Sequence, residues 1–136
     1  RRAMFAKVLR ICRRRGHILL LAGDERTALR WHADGFHQRN RGKAKLLHSA
    51  PVHNAREIAD VKRCSPDLLF LSPLFATNSH PGARPLGPLM FQRLAKLAKP
   101  KRVIALGGMS RQSAQMLGPG TIHGWAAIDA FRKKTA

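Results

Sequence analysis

Short apolar runs alternate with helical patterns along most of the chain. The clearest run is Leu68–Leu71, four apolar residues that lie between Pro66–Asp67 and a long polar loop. An apolar run this short, bounded by turn residues, predicts a strand that is buried on both faces, as in a parallel sheet. Similar but weaker runs predict five more strands, at residues 17–21, 33–37, 44–48, 102–106 and 122–127.

Apolar residues spaced three and four apart predict helices between these strands. The first is a basic amphipathic helix over residues 1–15, whose apolar stripe consists of Met4, Phe5, Val8, Leu9 and Cys12. Further helices are predicted at residues 25–31, 55–61, 88–98, 110–117 and 128–134. The expected N-caps are Asp24, Asn54 and Ser110, and the expected C-cap of the first helix is Gly16.

The alternation of strands and helices predicts a parallel sheet with helices packed outside it. The chain has 136 residues, of which 44% are hydrophobic, which suits one domain over its whole length. It shows no secretory signal and no apolar stretch near the roughly 20 residues that span a membrane. We therefore expect a cytoplasmic protein without membrane contact. Cys12 and Cys64 are far apart and form no CxxC motif, so free thiols are expected.

The charge is strongly positive, with 26 Lys and Arg against 7 Asp and Glu and a formal net charge of +19. Such a field attracts polyanions and anionic metabolites. The basic residues are dispersed, however, and aromatic residues make up only 6% of the chain. Nucleic-acid modules usually combine their charge with stacking aromatics or a recognisable motif. We therefore rank nucleic acid below small phosphorylated substrates as a partner.

The loops after the strands hold the candidate binding residues, because α/β folds keep their chemistry at the carboxyl ends of parallel strands. Gly107 and Gly108 stand between a strand and a helix, where backbone amides can approach a phosphate. Alternatively, the pair only turns the chain. Thr77, Ser79 and His80 could hydrogen-bond a phosphate, or they could belong to an ordinary solvated loop.

Two histidines at strand or loop ends, His37 and His53, are candidates for acid–base chemistry. His53 ends a predicted loop over residues 49–53. The alternative is that both are half-buried structural residues, since neither has an obvious partner carboxylate in the sequence. The seven histidines of the chain show no metal-ligand spacing.

Four motifs, taken in order, resemble the thiamine phosphate synthase/thiazole tautomerase family. They are Ala-Asp-Gly-x-His at 33–37, Asp-x-x-x-Leu-x-Pro at 67–73 followed by Thr77, Gly-x-x-Pro-Leu-Gly at 82–87, and Ala-Leu-Gly-Gly at 105–108. The resemblance implies a (β/α)8 TIM-type barrel, here incomplete with about six parallel strands. It places residues 1–15 after the second strand of the family barrel. Exposed strand edges would then favour poor stability or self-association.

The resemblance also implies a reaction, in which an aminopyrimidine pyrophosphate is joined to a thiazole phosphate and pyrophosphate is released. The residues that would hold the thiazole phosphate are Thr77, Ser79, His80, Gly107 and Gly108. His53 is the predicted catalytic residue, beside the pyrimidine. The resemblance implies magnesium as the family's cofactor. The positions at which the family carries its magnesium-binding carboxylates correspond to residues 22–23 and 39–42, which contain no Asp or Glu here, so no metal ligand is predicted. The alternative function is a barrel that binds a phosphorylated ligand or anion without catalysis.

Overall fold

The computed structural model describes residues 1–40, 42–79, 82–128 and 130. The strands are β1 (Leu20–Ala22), β2 (Gly35–His37), β3 (Leu47–Val52), β4 (Leu68–Leu71), β5 (Arg102–Ala105) and β6 (Gly124–Trp125). The helices are α1 (Arg2–Arg15), α2 (Glu25–Arg30), α3 (Ala55–Lys62), α4 (Gly87–Ala98) and α5 (Arg111–Gln115).

The six strands form one sheet in chain order, and every neighbouring pair is parallel. The predicted fold class is confirmed: this is the strand–helix alternation of a (β/α) barrel, with about six strands. Within the described residues the sheet is open, and β1 and β6 are its outer strands. None of the helices described is long and apolar enough to cross a membrane.

The helices cover one face of the sheet. In β4, Leu69 and Leu71 are fully buried on that face, whereas Leu68 and Phe70 are only partly buried. The prediction that this strand is buried on both faces is therefore wrong. In a closed barrel the opposite strands would cover the inner face, but the open sheet leaves it accessible.

The main core lies between the sheet and helices α3 and α4. Ile58, Val61, Phe91 and Leu94 pack there against the buried residues of β3, β4 and β5. A smaller cluster forms between α1, α2 and the first two strands. In that cluster the ring of Phe5 lies 5.4 Å from the ring of Trp31.

Side-chain and glycine caps fix the helix ends where they were predicted. Asp24 and Asn54 each accept a hydrogen bond, at 2.9 Å, from the backbone N–H three residues later. Ser110 forms a capping box with Ser113. Gly16 ends α1 in the left-handed conformation, with φ of 65°. All four predicted caps are confirmed, because each satisfies backbone groups that a helix end leaves free.

The third strand differs most from its prediction. β3 runs from Leu47 to Val52, so most of the predicted loop at 49–53 is strand. Pro51 cannot donate to a ladder, and proline usually marks an edge or a break. Here β2 has already ended at His37, whose register partner is Ser49. Pro51 therefore faces the loop after β2, where its carbonyl accepts a hydrogen bond from Arg39 Nε at 3.3 Å.

Other element bounds shift by smaller amounts. β1 begins three residues later than predicted and β6 is shortened to Gly124–Trp125. Helix α5 ends at Gln115 rather than 117. Most of the predicted final helix at 128–134 lies outside the described residues. Cys12 and Cys64 are free and partly buried, as expected.

Candidate functional site

A cleft of about 710 Å³ lies at the carboxyl ends of the strands. Its walls come from the segments that follow β3, β4, β5 and β6. The described lining residues are His53, Ser72, Pro73, Ala76, Thr77, Asn78, Ser79, Ala83, Leu106, Gly107, Gly108, Met109, Ser110, Ala127, Ile128 and Ala130. This is the end of the sheet where parallel α/β folds place their ligands.

The cleft brings together site residues that were predicted from three separate loops. His53 follows β3, Thr77 and Ser79 follow β4, and Gly107 and Gly108 follow β5, and all five line the same cleft. His80, predicted beside them, lies outside the described residues. The structure thus gives these residues a shared location, while their roles in binding and catalysis stay predictions.

The glycine pair allows the loop after β5 to meet the loop after β4 at close range. Gly107 has φ of 94° and Gly108 φ of 60°, a region that disfavours other residues. A Cβ on Gly107 would lie 2.7 Å from the Cα of Pro73, and one on Gly108 would lie 2.5 Å from the carbonyl oxygen of Ala76. The pair therefore does more than turn the chain, since it also lets two backbones touch.

Backbone hydrogen bonds join these two loops. The N–H of Leu74 donates to the carbonyl of Leu106 at 2.9 Å, and the N–H of Phe75 donates to that of Gly107 at 3.1 Å. The far end of the β4 loop is held as well, because the N–H of Leu86 donates to the carbonyl of Pro73 at 2.9 Å. The loop after β4, which carries Thr77, is thus hydrogen-bonded to the loop after β5, which carries the two glycines.

His53 has a carboxylate partner that the sequence did not reveal. Its Nδ1 lies 2.9 Å from Glu57 Oε2, and its backbone N–H donates to the same oxygen at 2.8 Å. Arg39 Nη2 reaches that oxygen at 2.5 Å. A carboxylate at Nδ1 fixes the proton of the neutral ring on that nitrogen and leaves Nε2 with a free lone pair. This pairing is typical of a histidine that accepts a proton.

The environment of Glu57 keeps it ionised. Burial acts to raise the pKa of Glu57, but hydrogen bonds from Arg39 and His53 outweigh it and leave the pKa below its ordinary value. One pattern in the sequence could have identified this residue. Glu57 is the third residue of a helix capped by Asn54, the position from which a glutamate reaches back to the preceding backbone.

His37 does not belong to the described lining of the cleft. Its Nδ1 lies 2.9 Å from the hydroxyl of Ser49, and its ring meets Phe70 edge-on at 5.1 Å. Burial, with a smaller contribution from His48, lowers the pKa of His37. These contacts agree with the structural alternative for this histidine.

The described lining of the cleft carries no Lys, Arg, Asp or Glu side chain. A phosphate there would be held by hydroxyls and amides. Magnesium prefers carboxylate oxygens, and the described residues do not fit it. Both carboxylate oxygens of Asp24 accept hydrogen bonds from Thr27, and Glu57 is bonded to His53 and Arg39. Nowhere in the described ranges do three His, Cys, Asp or Glu side chains group around one point.

An open, parallel (β/α) sheet with a cleft at the carboxyl ends of its strands defines a protein of the (β/α) barrel class. Comparison of the sequence with protein families identifies the family within this class. The family model described as thiamine monophosphate synthase matches residues 1–131. The chain therefore belongs to the thiamine monophosphate synthase family, and the resemblance predicted from its four motifs is confirmed.

Among solved structures, thirteen chains match. One is the thiamine phosphate pyrophosphorylase from Pyrococcus furiosus, with 17% sequence identity and a TM-score of 0.73. The match covers 93% of this chain and 64% of that one, so this chain spans less than two thirds of its length. At this identity the likeness supports the fold alone. A comparison with curated proteins gives no significant match.

Proposed function

We propose that this chain is a thiamine phosphate synthase-like protein and that its cleft binds a thiazole phosphate. One observation carries the proposal: residues predicted from separate loops (His53, Thr77, Ser79, Gly107 and Gly108) line one cleft. Membership of the family supports the same ligand class. We keep a cytoplasmic location as part of this proposal.

In the proposed complex, hydroxyls and backbone amides hold the phosphate of the thiazole. Thr77 is half-buried, while Ser79 and Gly108 are exposed to the cleft. Hydrogen bonds to a charged oxygen are stronger than those between neutral groups. The aminopyrimidine pyrophosphate would lie near His53, which Glu57 orients. The chain's own contribution to the alkyl transfer is then to orient the two substrates and to place donors near developing charge.

Magnesium would supply charge neutralisation on the pyrophosphate in a family member that binds it. Because the described residues do not fit this ion, we assign no step of the reaction to it. The same observation favours a second candidate function: a protein that binds a phosphorylated ligand in the cleft without turnover. Hydroxyls and backbone amides in the described lining are sufficient for that function.

Calorimetric titration with thiazole phosphate, followed by an assay for released pyrophosphate, tests both candidates. For a synthase we expect binding, and pyrophosphate release once the aminopyrimidine pyrophosphate and magnesium are added. Binding without release would favour the second candidate. If thiazole phosphate does not bind at millimolar concentration, the synthase proposal is wrong, and if inorganic phosphate does not bind either, the second candidate is wrong as well.

A pair of variants locates the binding. Ser79→Ala removes one hydroxyl from the cleft, and we expect it to weaken thiazole phosphate binding at least tenfold, since a hydrogen bond to a charged group is worth roughly 1.5–3 kcal/mol. Ser65→Ala makes the same change beyond the end of α3, outside the described lining of the cleft. The control should bind like the parent protein. Equal losses in both variants would exclude the cleft as the site.

A further inference from the structure

A second concavity lies at the opposite end of the sheet. Its volume is about 280 Å³, and residues 99–103 and 120–123 form most of its wall. These segments lead into β5 and β6. Because the strands are parallel, their amino ends meet at this edge, across the sheet from the thiazole phosphate cleft. The two pockets share no described lining residue.

The second pocket is strongly basic. Lys99, Lys101, Arg102 and His123 line it, and its described lining contains no Asp or Glu. In the described part of the chain, none of these four side chains forms an ion pair. The contrast with the first cleft is informative, because the described lining of that cleft has neither Lys nor Arg. Of the two concavities, only the second has Lys and Arg side chains of this +19 chain in its described lining.

Uncompensated like charges repel, and an anion that binds between them relieves the repulsion. Arginine presents a planar fork that suits two phosphate oxygens, while lysine acts as a compact point charge. One fork and two point charges match a ligand with several negative charges better than they match a monoanion. A ligand can also approach the backbone closely at the rim, since Gly120 has no side chain there and a Cβ added to it would meet no atom within 4 Å.

We propose that this basic pocket is a second binding site, for the polyphosphate group of a small molecule. The group could belong to inorganic pyrophosphate or to a nucleoside polyphosphate, which share the chemistry that Lys99, Lys101 and Arg102 recognise. This second site is independent of the function of the first cleft. In this proposal, some of the basic residues of the chain bind one specific anion and do not only attract anions in general.

Titration with inorganic pyrophosphate and, separately, with ADP tests the proposal at about 0.15 M salt, where charges more than about 8 Å apart are largely screened. Lys101→Gln/Arg102→Gln should weaken pyrophosphate binding at least tenfold, about the effect of losing one or two charge-assisted hydrogen bonds. The control Lys7→Gln/Arg10→Gln removes the same charge from the exposed surface of α1. We expect it to change the affinity less than about twofold, because these residues are remote from the pocket.

Two further variants keep the result clear. Lys99→Gln changes an exposed side chain just beyond α4 and should weaken binding even if the double variant does not fold. Ser65→Ala, at a residue in neither described lining, should leave pyrophosphate binding unchanged. Tighter binding of ADP than of pyrophosphate would identify a nucleotide as the source of the polyphosphate, and the reverse would identify pyrophosphate itself.

Three outcomes would overturn the proposal. The first is equal loss of affinity in the pocket variant and the α1 control, which would indicate general attraction by net charge. The second is no pyrophosphate or ADP binding at millimolar concentration. The third is binding of a single-stranded oligonucleotide that is reduced equally by both double variants while the small anions do not bind.

Discussion

Glu57 shows how one carboxylate can organise several groups of the site. It accepts hydrogen bonds from the ring and the backbone N–H of His53, and it pairs with Arg39. These donors all favour the charged form, which explains why the pKa of Glu57 lies below its ordinary value despite partial burial. The contribution of this carboxylate to stability must therefore depend on pH.

A group whose pKa is lower in the folded state stabilises the fold above its unfolded pKa, which is about 4.5 for glutamate. The stabilisation is lost as the pH falls through the folded pKa. Glu57→Gln should therefore lower the free energy of unfolding at pH 7 by about 1 kcal/mol or less, as for other partly exposed ion pairs. The difference from the parent protein should shrink below pH 4.5. Urea denaturation between about pH 3 and 7 measures it.

Asp60→Asn is the matched control for this experiment. Asp60 on α3 pairs with Arg63, just beyond the end of that helix, at 2.6 Å, but both side chains are more than half exposed. Its removal should change stability little at any pH. If Glu57→Gln destabilises the protein equally at both ends of this pH range, the hydrogen-bonded network has no electrostatic role and only its shape matters.

At the scale of elements, the turn between β5 and α5 joins the two walls of the cleft. Gly108→Ala should lower the free energy of unfolding by about 2–5 kcal/mol. Of this, roughly 1–2 kcal/mol reflects the left-handed conformation, and about 1–3 kcal/mol reflects overpacking against the backbone of Ala76. Gly118 has φ of 73° but no atom within 4 Å, so Gly118→Ala should cost only the conformational part, roughly 1–2 kcal/mol.

Thermal and urea denaturation of the two variants give the comparison directly. Equal losses would mean that the close approach at Gly108 contributes nothing beyond its dihedral angle. A larger loss in Gly108→Ala than in Gly118→Ala, together with weaker thiazole phosphate binding, would link the packing of the two loops to the shape of the cleft.

The elements also show what sequence patterns can and cannot predict. β4 was predicted residue for residue, because its four apolar residues lie between unambiguous turn signals. The caps at Asp24, Asn54 and Ser110 were predicted because local hydrogen bonds determine them. β3 was misplaced because Pro51 is compatible with a strand only where the neighbouring strand has already ended. That condition depends on the register of β2, which is a tertiary property.

In the site, too, features that depend on local sequence could be predicted, and features that depend on tertiary contacts could not. Thr77, Ser79, Gly107 and Gly108 could be predicted from turn chemistry and motif order. The partnership of Arg39 with Glu57 could not, since it joins the loop after β2 to helix α3, across 18 positions of the chain. Which face of the sheet is covered also escaped prediction, because a continuous apolar run suits burial on one face or on two.

For the molecule as a whole, exposed apolar surface favours self-association, and the positive charge opposes it. On the inner face of the sheet, Phe70 and Ile104 are only partly buried. Along α1, Met4 and Ile11 are 66% and 55% exposed on the side away from the smaller core cluster. Unpaired outer strands and exposed apolar residues favour association. The net charge of +19 opposes association between identical copies.

We therefore propose that the chain self-associates in a salt-dependent way. At about 0.01 M salt the charges act over roughly 30 Å, whereas at about 1 M they act over roughly 3 Å. Light scattering should give the monomer mass of 15.1 kDa at low salt and a rising mass as salt is added.

The double variant Met4→Gln/Ile11→Gln should reduce this rise in mass, because it removes apolar surface beside the outer strand β1. Leu89→Gln/Met116→Gln makes equivalent changes at exposed positions on α4 and beyond α5 and should not reduce it. A stable monomer at every salt concentration, or equal effects of the two double variants, would contradict association through this edge.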